Sequence, residues 1–122
     1  MNILLVGIGG MCGAIVRYGI SVFLLNITQK PLSFFTILCI NLIGCFGIGF
    51  LNGLSPGFLK PEMRMLLVTG FLGGFTTYSA FAFETFEFLN SQQFLIAFLN
   101  IAFHILGGLA AVWLGNVIAR SF

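Results

Sequence analysis

Four long apolar stretches, residues 3–25, 34–54, 63–89 and 94–118, take up nearly the whole chain. A transmembrane helix needs about 20 mostly apolar residues to cross roughly 30 Å of hydrocarbon. Of the 122 residues, 59% are hydrophobic and only 7% are charged, and a chain this short buries only about two-thirds of its surface on folding. Backbone groups in lipid must also be hydrogen-bonded within the segment. The pattern therefore predicts one all-α membrane domain, residues 1–122, with four transmembrane helices.

The third stretch has an irregular centre, because residues 70–79 read GFLGGFTTYS. Glycines and hydroxyl residues at mid-membrane make a poor regular helix, and irregular backbone at that depth is tolerated only beside protein or a polar cavity. The sequence therefore predicts a third helix that is broken at mid-membrane. The alternative is a face of small residues for helix packing, which is also the interpretation of Gly7, Gly10, Gly13 and Gly44.

The inventory of reactive side chains argues against an enzyme. The chain has one histidine, no aspartate and three glutamates, so it cannot assemble an acid–base pair, a triad or a metal cluster within one copy. Its three cysteines form no C-x-x-C pair, and a net charge of +2 is too small for a nucleic-acid surface. The polar groups inside the spans are mostly uncharged, and they suit a path for a small hydrated ion: Asn41, Thr69, Thr76, Thr77, Tyr78, Ser79, Asn100 and His104.

Two further observations concern charge and aromatic rings. Arg17 either anchors its helix end or draws anions to a pore mouth, and Glu84 and Glu87 either lie at the interface or line an aqueous vestibule. Tyr78 and Phe81 are spaced to share a helix face. Because an aromatic ring has a positive edge, two ring edges near an amide could receive an anion without trapping it.

Three motifs together resemble the Fluc (CrcB-type) fluoride channels of bacteria. They are G-x-x-G-A-x-x-R-Y at residues 10–18, N-x-x-G at residues 41–44, and GFLGGFTTYSAF at residues 70–81, and the resemblance covers the whole chain. It implies a channel in the bacterial inner membrane that exports fluoride passively and lowers cytoplasmic fluoride. It also implies an antiparallel, dual-topology homodimer with two pores.

The resemblance also implies roles for individual residues. Backbone carbonyls of Gly73 and Thr76 would hold a structural sodium ion at the dimer centre, and oxygen ligands suit that hard cation. Arg17 and Glu84 would be pore-mouth or structural residues. The fluoride pore would be lined by Asn41, Tyr78, Ser79, Phe81 and His104.

Four positions depart from the family pattern. Tyr78 stands where phenylalanine is usual, Ala80 where threonine is common, and Gly108 where serine is frequent. Ile37 takes the place of a threonine four residues before the asparagine, although Thr36 is adjacent. These changes bear on the details of the pore lining rather than on the family.

The distribution of basic residues predicts insertion in both orientations. Lys60, Arg64 and Arg120 fall on one side of a four-span protein, and Lys30 with Arg17 falls on the other. Orientation follows the bias of lysine and arginine in short loops, and here the bias is nearly absent.

A small dual-topology multidrug exporter is the main alternative, since such exporters are also four-span proteins of similar length. They resemble one another in an acidic residue in the first span, and this first span has none. A subunit that only assembles would not need polar residues in three spans. Whether the second chain is identical or a paralogue stays open.

Overall fold

The computed structural model describes residues 2–28 and 34–122, and every regular element in these ranges is helical. Helix α1 is Asn2–Thr28 and α2 is Phe34–Gly53. The segment between the first two predicted spans, residues 29–33, lies outside the described residues. Four helices in the described ranges are long and apolar enough to cross a membrane, so the prediction of four spans is confirmed.

The third and fourth spans are each divided by a change of helix type. The third, Pro61–Asn90, begins with α3 (residues 61–75), which is α-helical over Pro61–Arg64, π-helical over Met65–Leu72 and α-helical again over Gly73–Phe75. It ends with α4, Tyr78–Asn90. The fourth span is α5, Phe94–Ala119, and contains a π-helical segment at Phe103–Gly107.

The break in the third span is formed by threonines rather than by glycines. Gly73 has φ −62° and ψ −37°, which is ordinary helical backbone. Thr76 (φ −82°, ψ 157°) and Thr77 (φ −147°, ψ 111°) are extended instead. The prediction of a broken helix is confirmed, and the break lies at Thr76 and Thr77, beyond the glycine run and the helical Phe75.

Glycines let α1 and α3 pack backbone against backbone. A Cβ added at Gly9 would lie 2.9 Å from Phe71 N and 3.0 Å from Gly70 Cα. At Gly74 it would lie 2.9 Å from Gly10 Cα, whereas at Gly7 it would meet nothing within 4 Å. The interpretation that glycines pack this interface is therefore correct for Gly10 and Gly13. The closest approach is made by Gly9 and Gly13, which are four residues apart, and Gly7 takes no part.

The second helix pair is α2 with the C-terminal part of α5. A Cβ at Gly49 would lie 2.8 Å from Val112 Cα, and one at Gly115 would lie 2.8 Å from Phe50 N. Close backbone approach is the usual way in which transmembrane helices gain packing energy, because lipid removes the hydrophobic drive between them. The chain thus consists of two tightly packed pairs, α1 with α3 and α2 with α5.

Large apolar side chains cover the outside of these pairs. Trp113 and Phe98, for example, are each 66% exposed in the single chain. The described residues bury few large side chains completely, and one of the two largest is a polar one, Asn100. Such a surface is compatible with lipid as the solvent. The candidate site is therefore sought among the polar groups inside the spans.

Candidate functional site

The break separates α3 from α4 and gives α4 its own beginning. The Thr77 hydroxyl accepts a hydrogen bond from the Ala80 amide at 3.3 Å, so Thr77 is the N-cap of α4. Threonine is a favoured residue at this position because its oxygen satisfies one of the free amides of the first helical turn. The second half of the third span is therefore a separate helix with its own N-cap, which begins partway along the span.

Asn41 of α2 supplies the hydrogen bonds that Thr77 loses by leaving the helix. Its Nδ2 donates to the Thr77 carbonyl at 3.1 Å, and its Oδ1 accepts from the Thr77 amide at 2.9 Å. The side-chain amide thus takes the place of a peptide group of a neighbouring segment. One of the two N–H groups of Nδ2 is not needed for this pair.

Gly44 lies one turn after Asn41 and admits the broken segment. A Cβ at Gly44 would collide with the Thr76 methyl group. The motif at residues 41–44 therefore has two separate tasks, since the amide binds the break and the missing side chain makes room for it.

Because Thr77 bonds to Asn41 instead of within a helix, the carbonyls of Gly73 and Thr76 also lose hydrogen-bond partners. In a continuous helix the Thr77 amide would donate to the Gly73 carbonyl, and the Ala80 amide would donate to the Thr76 carbonyl. Here the Thr77 amide donates to Asn41 and the Ala80 amide to the Thr77 hydroxyl. Both carbonyls have therefore lost their regular helical donors. Gly73 is also exposed, and a Cβ there would meet nothing within 4 Å.

Three rings follow one another beside the break. The ring centroids of Tyr78 and Phe81 are 5.7 Å apart, and those of Phe81 and His104 are 4.3 Å apart. Tyr78 is 80% exposed in the single chain. Ser79, also exposed, shares a hydrogen bond of 3.3 Å between its hydroxyl and that of Thr77.

A groove of about 420 Å³ lies beside these rings, between α2, α3, the break, α4 and α5. The structure thus brings together four of the five predicted pore residues, Asn41, Tyr78, Phe81 and His104, whereas Ser79 is not among the residues that line the groove. Gly73 and Thr76 also line it. The groove combines one amide, two threonine hydroxyls and three rings, and no lysine or arginine is among the described residues that line it.

Arg17 and Glu84 lie apart from this groove. Arg17 is half-buried in α1, and its carbonyl accepts a hydrogen bond from the Ser21 hydroxyl at 2.9 Å. Glu84 is half-buried in α4, and its Oε2 is buried without a hydrogen-bond partner in the part of the chain that the structure describes. Neither residue lines the groove in the single chain.

Two of the positions that depart from the family pattern, Ile37 and Gly108, have defined surroundings. Ile37 is 6% exposed and belongs to the core rather than to the groove. A Cβ at Gly108 would lie 3.4 Å from the Cys45 sulfur. The thiol of Cys45, which lines the groove, thus lies next to Gly108.

Sequence reasoning missed a buried hydrogen-bond network next to the rings. The sequence identifies Asn100 only as an amide within a span, and it does not distinguish Thr85 from other threonines in the spans. Asn100 is 0% exposed, and its Nδ2 donates to the Thr85 hydroxyl at 3.0 Å. The signal was the spacing of Asn100 and His104, which places them on one face of α5, one turn apart.

Taken together, the fold and the site define a multi-pass membrane protein in which a neighbouring helix braces the broken third span. A sequence model of one family, described as CrcB-like protein, Camphor Resistance (CrcB), matches residues 4–116. The chain belongs to this family.

Curated relatives carry a common name. A protein of Chlorobium phaeobacteroides named fluoride-specific ion channel FluC is 42% identical over 120 residues, which cover 96% of this chain and 91% of the relative. Proteins of the same name from Methylobacillus flagellatus (42% over 119 residues; 93% and 91% covered) and Haemophilus ducreyi (38% over 120 residues; 98% and 93% covered) are also similar. Both chains of each pair are thus covered over nearly their whole length.

Proposed function

We propose that this chain conducts fluoride passively across the bacterial inner membrane and thereby lowers cytoplasmic fluoride. Its family and its relatives are fluoride channels rather than enzymes. The observation that carries the proposal is the groove beside the broken helix, where Asn41, Phe81 and His104 come together and the described lining residues include no lysine or arginine. Because the membrane potential is negative inside, passive flow would carry an anion outward.

Selectivity for fluoride over larger anions would follow from two properties of the groups that line the groove: each binds an anion weakly, and they lie close together. Amide, hydroxyl and ring-edge groups replace part of the hydration shell of an ion without holding it as tightly as a charge would. Fluoride is the smallest halide, so it gains most from donors that are close together. Tyr78, Phe81 and His104 would form the aromatic part of this path, and Asn41 and Ser79 the polar part.

We expect purified protein in liposomes to release fluoride and retain chloride. The rate should rise with the imposed potential and should not need a proton gradient, because no acidic residue lies in the first span and no proton relay is evident. Ion-selective electrodes on matched fluoride-loaded and chloride-loaded vesicles measure both rates. Equal loss of the two anions would contradict the proposal, and a need for a proton gradient would favour an exporter.

A structural sodium ion at the break is the second part of the proposal. The residues fit the ion, because the carbonyls of Gly73 and Thr76 have lost their helical donors and a backbone carbonyl without a partner is costly away from water. Two such carbonyls from each of two chains would offer oxygen ligands of the kind that hard cations prefer. A bound sodium ion would supply positive charge near the anion path.

We expect prolonged removal of sodium to reduce fluoride conduction. Protein exchanged exhaustively into N-methylglucamine should lose most of its efflux rate and regain it when sodium is restored. Efflux from vesicles prepared in the two cations measures the effect, with potassium as a second comparison. Full activity after exhaustive exchange would remove sodium from the proposal and leave fluoride conduction intact.

The third part of the proposal is an antiparallel dimer of identical chains. Tyr78 and Ser79 are exposed on a mid-membrane segment of the single chain, and Gly73 offers open backbone beside them. Polar groups at this depth are costly in contact with lipid, so a second copy that covers the groove would stabilise the fold. The near balance of basic residues between the two sides supports insertion in both orientations.

We expect added lysines to separate the two orientations. Three lysines after Phe122 should force one orientation and abolish efflux when that variant is expressed alone. Co-expression with a second variant, carrying three lysines in the loop around residue 30, should restore it, because the pair would again contain both orientations. Efflux from membranes of cells that express one or both variants measures this. Undiminished activity of the first variant alone would rule out the antiparallel dimer.

A further inference from the structure

A closed set of contacts joins α4 to α5 behind the groove. The Asn100 amide donates to the Thr85 hydroxyl at 3.0 Å, and that hydroxyl donates to the Phe81 carbonyl at 2.9 Å. On α5, His104 Nδ1 donates to the Asn100 carbonyl at 2.9 Å. The circuit closes where the rings of His104 and Phe81 meet, with centroids 4.3 Å apart. We call these four residues the Asn100 circuit.

The burial of this circuit makes its geometry well defined. Asn100 is 0% exposed and Thr85 is 8% exposed. A buried amide that loses its partner costs far more than a surface one, because neither water nor lipid replaces the bond. Asn100 Oδ1 is buried without a partner among the described residues, so the bond from Nδ2 to the Thr85 hydroxyl is the one described contact that orients the amide.

The circuit also determines which nitrogen of His104 is free. A backbone carbonyl can only accept, so the bond to Asn100 requires the proton on Nδ1. Nε2 is left buried without a partner among the described residues, while the imidazole itself lines the groove. The orientation and the tautomer of the ring thus both depend on its bond to the Asn100 carbonyl.

We propose that Asn100, acting through Thr85, is a positioning residue for the anion path: it fixes the distance between the rings of Phe81 and His104. The inference rests on the proposed path past these two rings. Asn100 itself does not line the groove. Its side chain acts through Thr85 on the Phe81 backbone, and its backbone carbonyl, which a side-chain substitution leaves in place, holds the His104 ring on α5. Thr85 couples the two helices because it accepts from α5 and donates within α4.

Isosteric removal of the coupling tests the proposal. Thr85→Val removes the hydroxyl and keeps the shape, and Asn100→Leu removes the amide. Each should lower the rate of fluoride efflux roughly tenfold to a hundredfold, the range that small misplacements of functional groups produce. The ratio of fluoride to chloride efflux should fall as well, whereas Thr85→Ser, which keeps the hydroxyl, should retain both the rate and the ratio.

The double variant Thr85→Val with Asn100→Leu separates positioning from stability. Replacing both partners of a buried hydrogen bond by apolar groups can leave stability nearly unchanged, so its thermal midpoint in detergent should return toward that of the natural protein. Its fluoride rate and its selectivity should stay low, because the two helices are no longer coupled. Recovery of rate and selectivity together with stability would show a purely structural role and would overturn the proposal.

Two reference variants complete the design. Ser91→Ala removes a hydroxyl that donates to the carbonyl four residues earlier, as Thr85 does, but at an exposed position at the end of α4; it should conduct normally. Phe81→Ile removes the ring and should reduce conduction sharply. If the natural protein conducts fluoride and Phe81→Ile does so equally well, the path does not pass Phe81 and the inference fails, although the function stands. If the natural protein does not conduct, the proposed function fails first.

Discussion

Replacement of Asn41 by aspartate should lower fluoride conduction by roughly a hundredfold or more. An ionised aspartate cannot donate to the Thr77 carbonyl, which the natural side chain reaches at 3.1 Å. It also places a negative charge in a groove through which an anion is proposed to pass. Initial rates of fluoride efflux from liposomes, divided by the amount of folded protein, measure the loss.

Asn52→Asp is the matched control for this substitution. Asn52 lies in the same helix at an exposed position and accepts a hydrogen bond from Arg64 at 2.8 Å. A carboxylate there keeps that bond, so conduction should stay within about twofold of the natural protein. If Asn41→Asp conducted as well as Asn52→Asp, Asn41 would belong neither to the path nor to the support of the break.

The second large effect is expected at Gly9. Replacement by valine should prevent α1 from docking on α3, because even the first added carbon would lie 2.9 Å from Phe71 N and 3.0 Å from Gly70 Cα. Backbone atoms cannot yield as a flexible side chain can, so the cost should exceed the ~1–3 kcal/mol that is usual for overpacking. We expect little or no monodisperse protein in gel filtration and no fluoride efflux.

Gly7→Val provides the comparison, because it makes the same change two residues earlier. A Cβ at Gly7 meets nothing within 4 Å, and a lipid-facing valine is compatible with a transmembrane helix. This variant should therefore be purified in normal yield with an unchanged thermal midpoint. Equal behaviour of the two variants would mean that α1 and α3 do not pack through Gly9.

The sequence predicted the spans well because lipid imposes a one-dimensional constraint. A run that must cross hydrocarbon has to be long and apolar whatever it packs against, so the observed helices can be read directly from composition. The glycines are a different case. Which of Gly7, Gly9, Gly10 and Gly13 faces another helix depends on the rotation of α1, and a nearly uniformly apolar helix gives no periodic signal for that rotation.

The site was predicted in part for a similar reason. Residues 70–79 predicted a break, because glycine and hydroxyl residues weaken a helix. The position of the break at Thr76 and Thr77, however, depends on a partner in another helix. That partner is Asn41, 36 positions earlier in the chain. The Asn100 circuit could not be predicted from the sequence. Threonine is common in transmembrane helices, and no neighbouring residue marks Thr85 as the acceptor for an amide 15 positions away.

The brace between Asn41 and Thr77 also has a consequence for the order of assembly in the membrane. Asn41 belongs to α2, which is synthesised before the third span, so its amide is already present when Thr77 is added to the chain. The nascent third span can therefore leave helical geometry without exposing an unpaired peptide group to lipid. A chain with these two spans in the opposite order would have to insert the interrupted helix first and wait for its support. The position of the asparagine, upstream of the segment that it stabilises, thus suits a protein that enters the bilayer from its N-terminus onward.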